Sequence, residues 1–218
     1  MSLKEKLVEI CHKVYKKGFV TAYDGNLSVR TENNSILITR SGKCKGEITA
    51  DDILEIDING NVLSGEGKIS TENKIHLFAY MKRKEINAVV HCHPVYATAF
   101  ALIGEGFVEH FLPEVVLTLG KVPLCKFAVP STDEVPESMI PHIEYAWAML
   151  LENHGAVTFG KTLDDAYYKM EKLEHSAKII HLARQIGKPN KLSDETLKTL
   201  YEMSEKTYNI RLDKRNIF

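Results

Sequence analysis

The sequence has no long hydrophobic run and no strong charge bias. Nothing in the chain approaches the roughly 18 consecutive apolar residues that cross a bilayer, so we expect no membrane-spanning helix and no membrane partner. The formal net charge is −1 with both signs interspersed, which gives no electrostatic reason to expect a nucleic acid partner. The four cysteines form no C-x-x-C pair and are typical of reduced thiols. Because the chain starts with an amphipathic helix pattern and not a secretory signal, we expect a cytoplasmic protein.

Internal repeats, low-complexity segments and Pro/Ser-rich linkers are also missing. We therefore expect a single domain over residues 1–218, a length that suits one compact core. Alternating polar and apolar residues predict strands over 26–31, 35–39 and 53–58, and the short turns between them favour antiparallel pairing. Helical patterns follow later in the chain. The predicted fold class is α/β, a layered domain with a central mixed, largely antiparallel sheet flanked by helices.

The second half of the chain gives its own element predictions. An apolar run ending in two histidines predicts a strand over 87–93. Residues 122–129 look extended, and residues 141–152 look helical. A long amphipathic helix is predicted over 163–186, and Ser193 is expected to cap a last helix.

Histidines at the end of the predicted strand are the main chemical signal. His91 and His93 are two positions apart, so in a strand both imidazoles point to the same face while Cys92 points to the other. His154 lies in a turn before another apolar stretch, and Glu72 lies at a helix start, from which a carboxylate can point to the same place. Three neutral imidazoles with one open position suit Zn²⁺, although ligand type alone leaves Mn²⁺, Fe²⁺ or Co²⁺ open. His76, one helical turn after Glu72, is either a supporting group or an ordinary helix residue.

Three loops have the composition of an anion site. Residues 24–26 form a turn before a strand, residues 41–43 follow a strand, and residues 70–71 begin a helix. Backbone N–H groups, hydroxyls and the positive end of a helix dipole stabilise a phosphate. Each loop alone is also an ordinary turn or helix cap, so only their combination with a metal site favours phosphate.

Five motifs, in order along the chain, resemble the class II aldolase/adducin family. They are residues 25–30, residues 38–42, Ser70-Thr71-Glu72, His91-Cys92-His93 and Asn153-His154-Gly155. The resemblance runs almost from end to end and includes a tail similar to residues 206–211. It implies the fold predicted above and the activity of a metal-dependent aldehyde-lyase.

The resemblance also implies roles for individual residues. His91, His93 and His154 would hold zinc, and Glu72 would be the catalytic acid/base and also a metal ligand when substrate is absent. Five residues would bind the substrate phosphate: Asn26, Ser41, Gly42, Ser70 and Thr71.

Further implications concern the tail and the assembly. Tyr208, in a tail that is mobile from about residue 205, would protonate or orient the aldehyde oxygen of a neighbouring subunit. Members of the family are typically homotetramers with active sites at the interfaces. One departure is Phe111, where family members that cleave L-fuculose 1-phosphate carry a tyrosine; a second is Arg40-Ser41 in place of a common Pro-Thr pair.

The implied reaction is reversible cleavage of a ketose 1-phosphate to dihydroxyacetone phosphate and an aldehyde, with the metal as Lewis acid and no lysine Schiff base. L-fuculose 1-phosphate is one candidate substrate. Deoxy- or methylthio-pentulose 1-phosphates fit Phe111 at least as well, because they have a less polar aldehyde end. A sugar-phosphate 4-epimerase is an alternative, although Glu72 stands where those enzymes have Asp. A methylthioribulose-1-phosphate dehydratase, with Glu114 as acid/base, is another. A non-enzymatic adducin-like scaffold is the alternative of another class, and a mononuclear zinc hydrolase is a weaker one.

Overall fold

The computed structural model describes residues 1–218, and its centre is one β-sheet. The eight strands are β1 (Asn26–Arg30), β2 (Ile36–Thr39), β3 (Ile53–Ile56), β4 (Val62–Ser64), β5 (Ala88–Cys92), β6 (Leu124–Cys125), β7 (Ala148–Leu151) and β8 (Gly155–Gly160). Their spatial order is β4-β3-β2-β1-β5-β8-β7-β6. Neighbouring strands pair antiparallel except β6 and β7, which are parallel. The predicted α/β fold with a mixed, largely antiparallel sheet is confirmed.

Seven α-helices cover the sheet. They are α1 (Leu3–Lys16), α2 (Asn73–Lys82), α3 (Val95–Leu102), α4 (Pro113–Thr118), α5 (Glu134–Met139), α6 (Leu163–Ile186) and α7 (Asp194–Lys206), with a short 3-10 helix at Ala50–Asp52. None of these helices has both the length and the apolar character needed to cross a membrane.

Local signals in the sequence explain where several helices begin. The Ser2 hydroxyl accepts from the backbone N–H of Glu5, and the Glu5 side chain accepts from the backbone of Ser2, which completes a capping box at α1. The Thr162 hydroxyl caps the long helix α6 by accepting from the backbone N–H of Asp165, and Ser193 caps α7 as predicted. The bounds of α6 agree with the predicted helix over 163–186.

The sheet separates two apolar layers, and the central strand β5 contributes to both. Ala88, Val90 and Cys92 pack toward the layer of α1, α3 and α6. Val89 packs into the other layer, which includes α2 and α5. Because side chains alternate along a strand, His91 points to the same side as Val89, toward α2. The alternation predicted for Cys92 and its neighbouring histidines is thus present.

Strand register brings distant residues together at one end of β5. Asn26 of β1 is paired with His91, and Ala156 of β8 is paired with Cys92. The turn between β7 and β8 carries His154, immediately before β8 begins at Gly155. The helix α2 starts after Glu72, whose side chain lies beside His91 at the same end of β5.

Two element predictions were wrong. Residues 141–152 are not a helix, because the chain turns at 141–145 and then forms β7. A short continuous apolar run fits a buried strand as well as a buried helix, and the decision came from its neighbours β6 and β8 in the sheet. Within the stretch 122–129, only Leu124–Cys125 forms a strand, because only these two residues pair with β7.

The C-terminal segment after α7 packs against the chain. The Asn216 side chain is fully buried and donates to the carbonyl of Leu119 over 3.0 Å. The backbone N–H of Phe218 donates to the Tyr201 hydroxyl over 2.7 Å. Mobility of this tail stays a prediction.

Candidate active site

Three histidine side chains converge at the end of β5. Their ligand nitrogens all lie within 4.8 Å of one another, and Nε2 of His91 is 3.3 Å from Nε2 of His93. His91 is fully buried, and its Nδ1–H donates to the carbonyl of Ala156 over 3.0 Å. This hydrogen bond fixes the ring, so its Nε2 lone pair points toward the other two histidines.

Glu72 lies directly beside this cluster. Its Oε1 is 3.0 Å from Nε2 of His154, and its Oε2 is 3.4 Å from Nε2 of His91. Burial raises the pKa of the Glu72 carboxyl, but the charge of His91 and hydrogen bonds from His154 and His91 lower it more strongly. The pKa of Glu72 is therefore held well below its usual range, and the group is a carboxylate at neutral pH.

The electrostatics of the cluster suit a metal ion. Burial first, and then repulsion from the neighbouring imidazoles of His91 and His154, lower the pKa of His93 to about 3, so its ring is neutral at neutral pH. Neutral imidazole is the form that binds metals, and protonating all three rings at these distances is strongly unfavourable. Three convergent nitrogens with one carboxylate oxygen are a donor set that Zn²⁺, Mn²⁺, Fe²⁺ and Co²⁺ all accept. The residues therefore fit a divalent cation.

Close packing around the three clustered histidines also involves Gly155, the first residue of β8. A Cβ atom at this position would lie 2.5 Å from Cδ2 of His93 and 2.7 Å from the carbonyl of Cys92. Real Cβ atoms essentially never approach other atoms this closely, so any side chain at this position would displace His93 or the strand. The short Asn-His-Gly turn thus positions His154 and leaves room for the ring of His93.

A network of buried hydrogen bonds fixes the Asn26 side chain. The Nε2–H of His76 donates to Oδ1 of Asn26, and Nδ1 of His76 is 2.6 Å from the Ser28 hydroxyl. The Tyr80 hydroxyl lies 2.7 Å from the same Ser28 oxygen. Because the oxygen of the Asn26 amide faces His76, its nitrogen faces the site and donates to Oε2 of Glu72 over 2.8 Å. His76 is thus a buried supporting group of the site.

The cluster opens into a polar cleft of about 360 Å³. His93, His154 and Glu72 line it, while His91 lies beneath. The five residues predicted to bind phosphate all line the same cleft: Asn26, Ser41, Gly42, Ser70 and Thr71. The structure therefore brings the metal-site and phosphate-site candidates together, and their roles stay predictions.

Sequence reasoning missed several residues of this cleft. Tyr23, Arg40, Lys45 and Ser131 also line it. The Ser131 hydroxyl is 2.6 Å from the Thr71 hydroxyl, across 60 positions of sequence. No local pattern marks such a long-range contact. A positive charge close to a suspected phosphate loop was the available signal for Lys45.

Two other candidates lie outside the cleft in the single chain. Tyr208 is 52% exposed just after α7 and does not line the cleft, so its predicted role requires a second subunit. Glu114 lines a larger groove of about 840 Å³ between α1, α3 and α6. That groove contains none of the clustered histidines, so the smaller cleft is the better candidate site.

Comparison with known proteins agrees with this geometry. The sequence model of the family "Class II Aldolase and Adducin N-terminal domain" matches residues 5–181. The chain is 35% identical over 176 residues to L-fuculose phosphate aldolase of Methanocaldococcus jannaschii, covering 81% of this chain and 94% of that protein. It is 32% identical over 204 residues to 3-oxo-tetronate 4-phosphate decarboxylase of Haemophilus influenzae, covering 92% and 96%.

Solved structures support the same assignment. A structure of L-fuculose 1-phosphate aldolase superposes with a TM-score of 0.85 at 32% identity, covering 92% of this chain and 94% of that one. The relatives are named as aldolases and decarboxylases, both of which are lyases, so the prediction of a metal-dependent lyase is confirmed at that level. The chain belongs to the class II aldolase and adducin family.

Proposed function

We propose that the chain is a zinc-dependent aldolase that reversibly cleaves a ketose 1-phosphate to dihydroxyacetone phosphate and an aldehyde. The observation that carries the proposal is the position of Glu72 between the histidine cluster and the polar cleft. Its carboxylate is 3.0 Å from His154 and receives a hydrogen bond from Asn26, so it is charged, oriented and open to the cleft. These are the properties of a general base that works next to a Lewis acid.

The residues of the chain have separate tasks in this mechanism. His91, His93 and His154 would hold the metal, which when bound supplies Lewis-acid polarisation of the substrate carbonyl and hydroxyl oxygens. In the synthetic direction, Glu72 takes a proton from the carbon next to the carbonyl of dihydroxyacetone phosphate. In the cleavage direction, the C3–C4 bond breaks and its electron pair stays on C3, in the fragment that becomes dihydroxyacetone phosphate. Glu72 then returns the proton to C3.

The remaining groups bind and orient. Ser41, Gly42, Ser70, Thr71 and Asn26 line one cleft, and their hydroxyl and side-chain amide groups, with the backbone N–H of Gly42, would bind the phosphate. Binding energy from the phosphate would then hold the reacting carbon close to Glu72. Tyr208 of a neighbouring subunit would exchange the proton of the aldehyde oxygen. This requires an assembly, for which we propose a homotetramer with interfacial sites.

The proposal also covers domain organisation, cellular location and partners. Since all eight strands share one sheet, we propose that residues 1–218 act as one class II aldolase-like domain. We propose that the protein works in the cytoplasm on a small sugar phosphate, without a nucleic acid or membrane partner. Retention of the three histidines and Glu72 argues against an adducin-like scaffold.

A decarboxylase is the second candidate function. Relatives named 3-oxo-tetronate 4-phosphate decarboxylase are 31–33% identical to the chain, compared with 32–35% for relatives named L-fuculose phosphate aldolase. Loss of CO₂ from 3-oxo-tetronate 4-phosphate leaves the same dihydroxyacetone phosphate half as aldol cleavage does. Aldol cleavage must remove the proton of the C4 hydroxyl, whereas a carboxylate leaves as CO₂ without such a transfer. Phe111 in place of a tyrosine is therefore easier to accommodate in the decarboxylation.

One experiment separates these functions. The protein with zinc is incubated with dihydroxyacetone phosphate and a panel of aldehydes, and separately with 3-oxo-tetronate 4-phosphate, with product masses and stereochemistry as readout. Ketose 1-phosphate formation that a chelator abolishes and zinc restores supports the aldolase. CO₂ release without aldol products supports the decarboxylase. Protein that binds no metal and turns over neither substrate would overturn both, and would favour the scaffold.

A further inference from the structure

Lys45 is a buried cation at the cleft that the mechanism above does not use. It lies in the loop between β2 and the 3-10 helix, and only 1% of its surface is exposed. Even so, it lines the cleft together with Ser41, Gly42 and Asn26. A lysine this deeply buried is rare unless its charge is compensated.

The ammonium group is only partly satisfied within the chain. Nζ donates to the carbonyl of Lys43 over 2.8 Å and to the carbonyl of Tyr23 over 3.1 Å. An ammonium has three donors, so these two contacts leave one proton free. No carboxylate pairs with Nζ; the carboxylate of Asp24, the acidic residue of the neighbouring turn, accepts from the Thr21 hydroxyl instead.

Two neighbouring cations differ from Lys45 in this respect. Arg40 and Lys43 are each about one third exposed, and each lies 3.4 Å from Oδ1 of Asp52. Their charges are therefore matched by a carboxylate and by water. Burial lowers the pKa of Lys45, and the nearby cysteines and the more distant carboxylate of Asp24 oppose this effect only in part. The positive charge of Lys45 thus lacks a close anionic partner inside the protein.

The two carbonyls that Lys45 contacts belong to two loops that each contribute lining residues to the cleft. Tyr23 lies in the turn before β1, and Lys43 follows the Ser41-Gly42 loop. The five residues proposed to bind phosphate are all neutral, whereas a phosphate monoester carries nearly two negative charges at neutral pH. A cation that connects both walls supplies the charge that these residues lack.

We infer that Lys45 is a further substrate-binding residue, whose ammonium group compensates the charge of the substrate phosphate in the cleft. The inference rests on the proposed function, since it assumes that a phosphate occupies this cleft. It makes Lys45 a determinant of specificity, because the site then favours phosphorylated over unphosphorylated substrates. The bound anion in turn stabilises the buried ammonium.

The test uses inorganic phosphate as the probe and four forms of the full-length protein. Thermal unfolding is followed against phosphate concentration for the wild type, Lys45→Met, Lys45→Gln and Lys43→Met. Binding to the folded state raises the unfolding temperature with ligand concentration. Lys45→Gln keeps an N–H donor for the two carbonyls but removes the charge, so it separates charge from loop bridging. Lys43→Met is the matched control, because it removes an exposed cation two positions away.

We expect phosphate to stabilise the wild type and Lys43→Met equally. A hydrogen bond to a charged group is worth enough for phosphate affinity to fall about 10-fold or more in Lys45→Met and Lys45→Gln. If Lys45→Met does not fold, the phosphate affinity of Lys45→Gln alone tests the inference. The KM for a phosphorylated substrate should rise by a similar factor while kcat changes less.

Other outcomes overturn specific statements. If both Lys45 variants bind phosphate as tightly as the wild type, Lys45 only bridges the two loops and the inference is wrong, while the phosphate cleft stands. If phosphate does not stabilise the wild type at all, the proposed phosphate cleft fails first, and the inference fails with it. A loss in Lys43→Met equal to that in Lys45→Gln would show a general charge effect and would also refute the inference.

Discussion

Replacing Glu72 with glutamine tests the proposed mechanism at its centre. Glutamine has the same shape, and its side-chain oxygen can still accept from the Asn26 amide, now 2.8 Å from Oε2. Its nitrogen takes the place of Oε1, which now lies 3.0 Å from Nε2 of His154. The substitution therefore preserves the packing and most hydrogen bonds while removing the negative charge and the proton acceptor.

The expected magnitude follows from the role of the lost group. A positioned general base accelerates a reaction about 10²–10⁴-fold, which corresponds to about 3–5 kcal/mol in the activation barrier. We expect kcat of Glu72→Gln to fall by this factor or more. Three histidines remain to hold the metal, so bound zinc should stay close to the wild-type amount.

The assay combines steady-state cleavage kinetics with metal content and circular dichroism on the same samples. Glu114→Gln is the matched control, since Glu114 lines a different groove and should keep near wild-type activity. A metal-loaded Glu72→Gln enzyme with more than about one tenth of wild-type kcat would refute the assignment of Glu72 as the base, on the scale of general-base effects. Loss of activity in Glu114→Gln alone would instead favour the dehydratase alternative.

Three further predictions concern the surroundings of the site. Gly155→Ala should weaken metal binding and lower stability, because its Cβ would lie 2.5 Å from the ring of His93. Equilibrium dialysis with zinc measures the metal affinity. Gly187→Ala is the control that should bind zinc normally, because a Cβ at Gly187 has nothing within 4 Å. Equal zinc affinity in the two variants would contradict the packing argument. Tyr80→Phe removes the hydroxyl 2.7 Å from Ser28 and should reduce the free energy of unfolding by about 1 kcal/mol; urea denaturation would show no change if this hydrogen bond contributes nothing. Burial lowers the pKa of His76 from 6.5 to about 3. Below pH 6.5, His76 is therefore protonated in the unfolded chain but stays neutral in the folded chain. The free energy of unfolding should therefore fall between pH 6.5 and about 3, and a flat profile from denaturation at several pH values would contradict a buried neutral ring.

Local patterns were sufficient for several elements and for the chemistry of the site. The helix over 163–186 could be predicted because its cap and its apolar spacing are both local signals. The same holds for the direction of His91 relative to Cys92, since alternation is a property of any strand. The error over 141–152 arose where pairing with other strands, and not the local sequence, decided the structure of a short apolar run.

The sequence by itself determined which chemical groups are available: His91 and His93 on one strand, a third histidine in a turn, and a carboxylate at a helix start. Only the tertiary structure decided that these groups converge, because strand register places Asn26 against His91 and the β7–β8 turn carries His154 to the same end of the sheet. It also decided the electrostatics of the site, since burial keeps His76 and His93 neutral and leaves Lys45 without an anionic partner. Burial and long-range proximity are properties of the packed chain, and no local pattern of residues contains them.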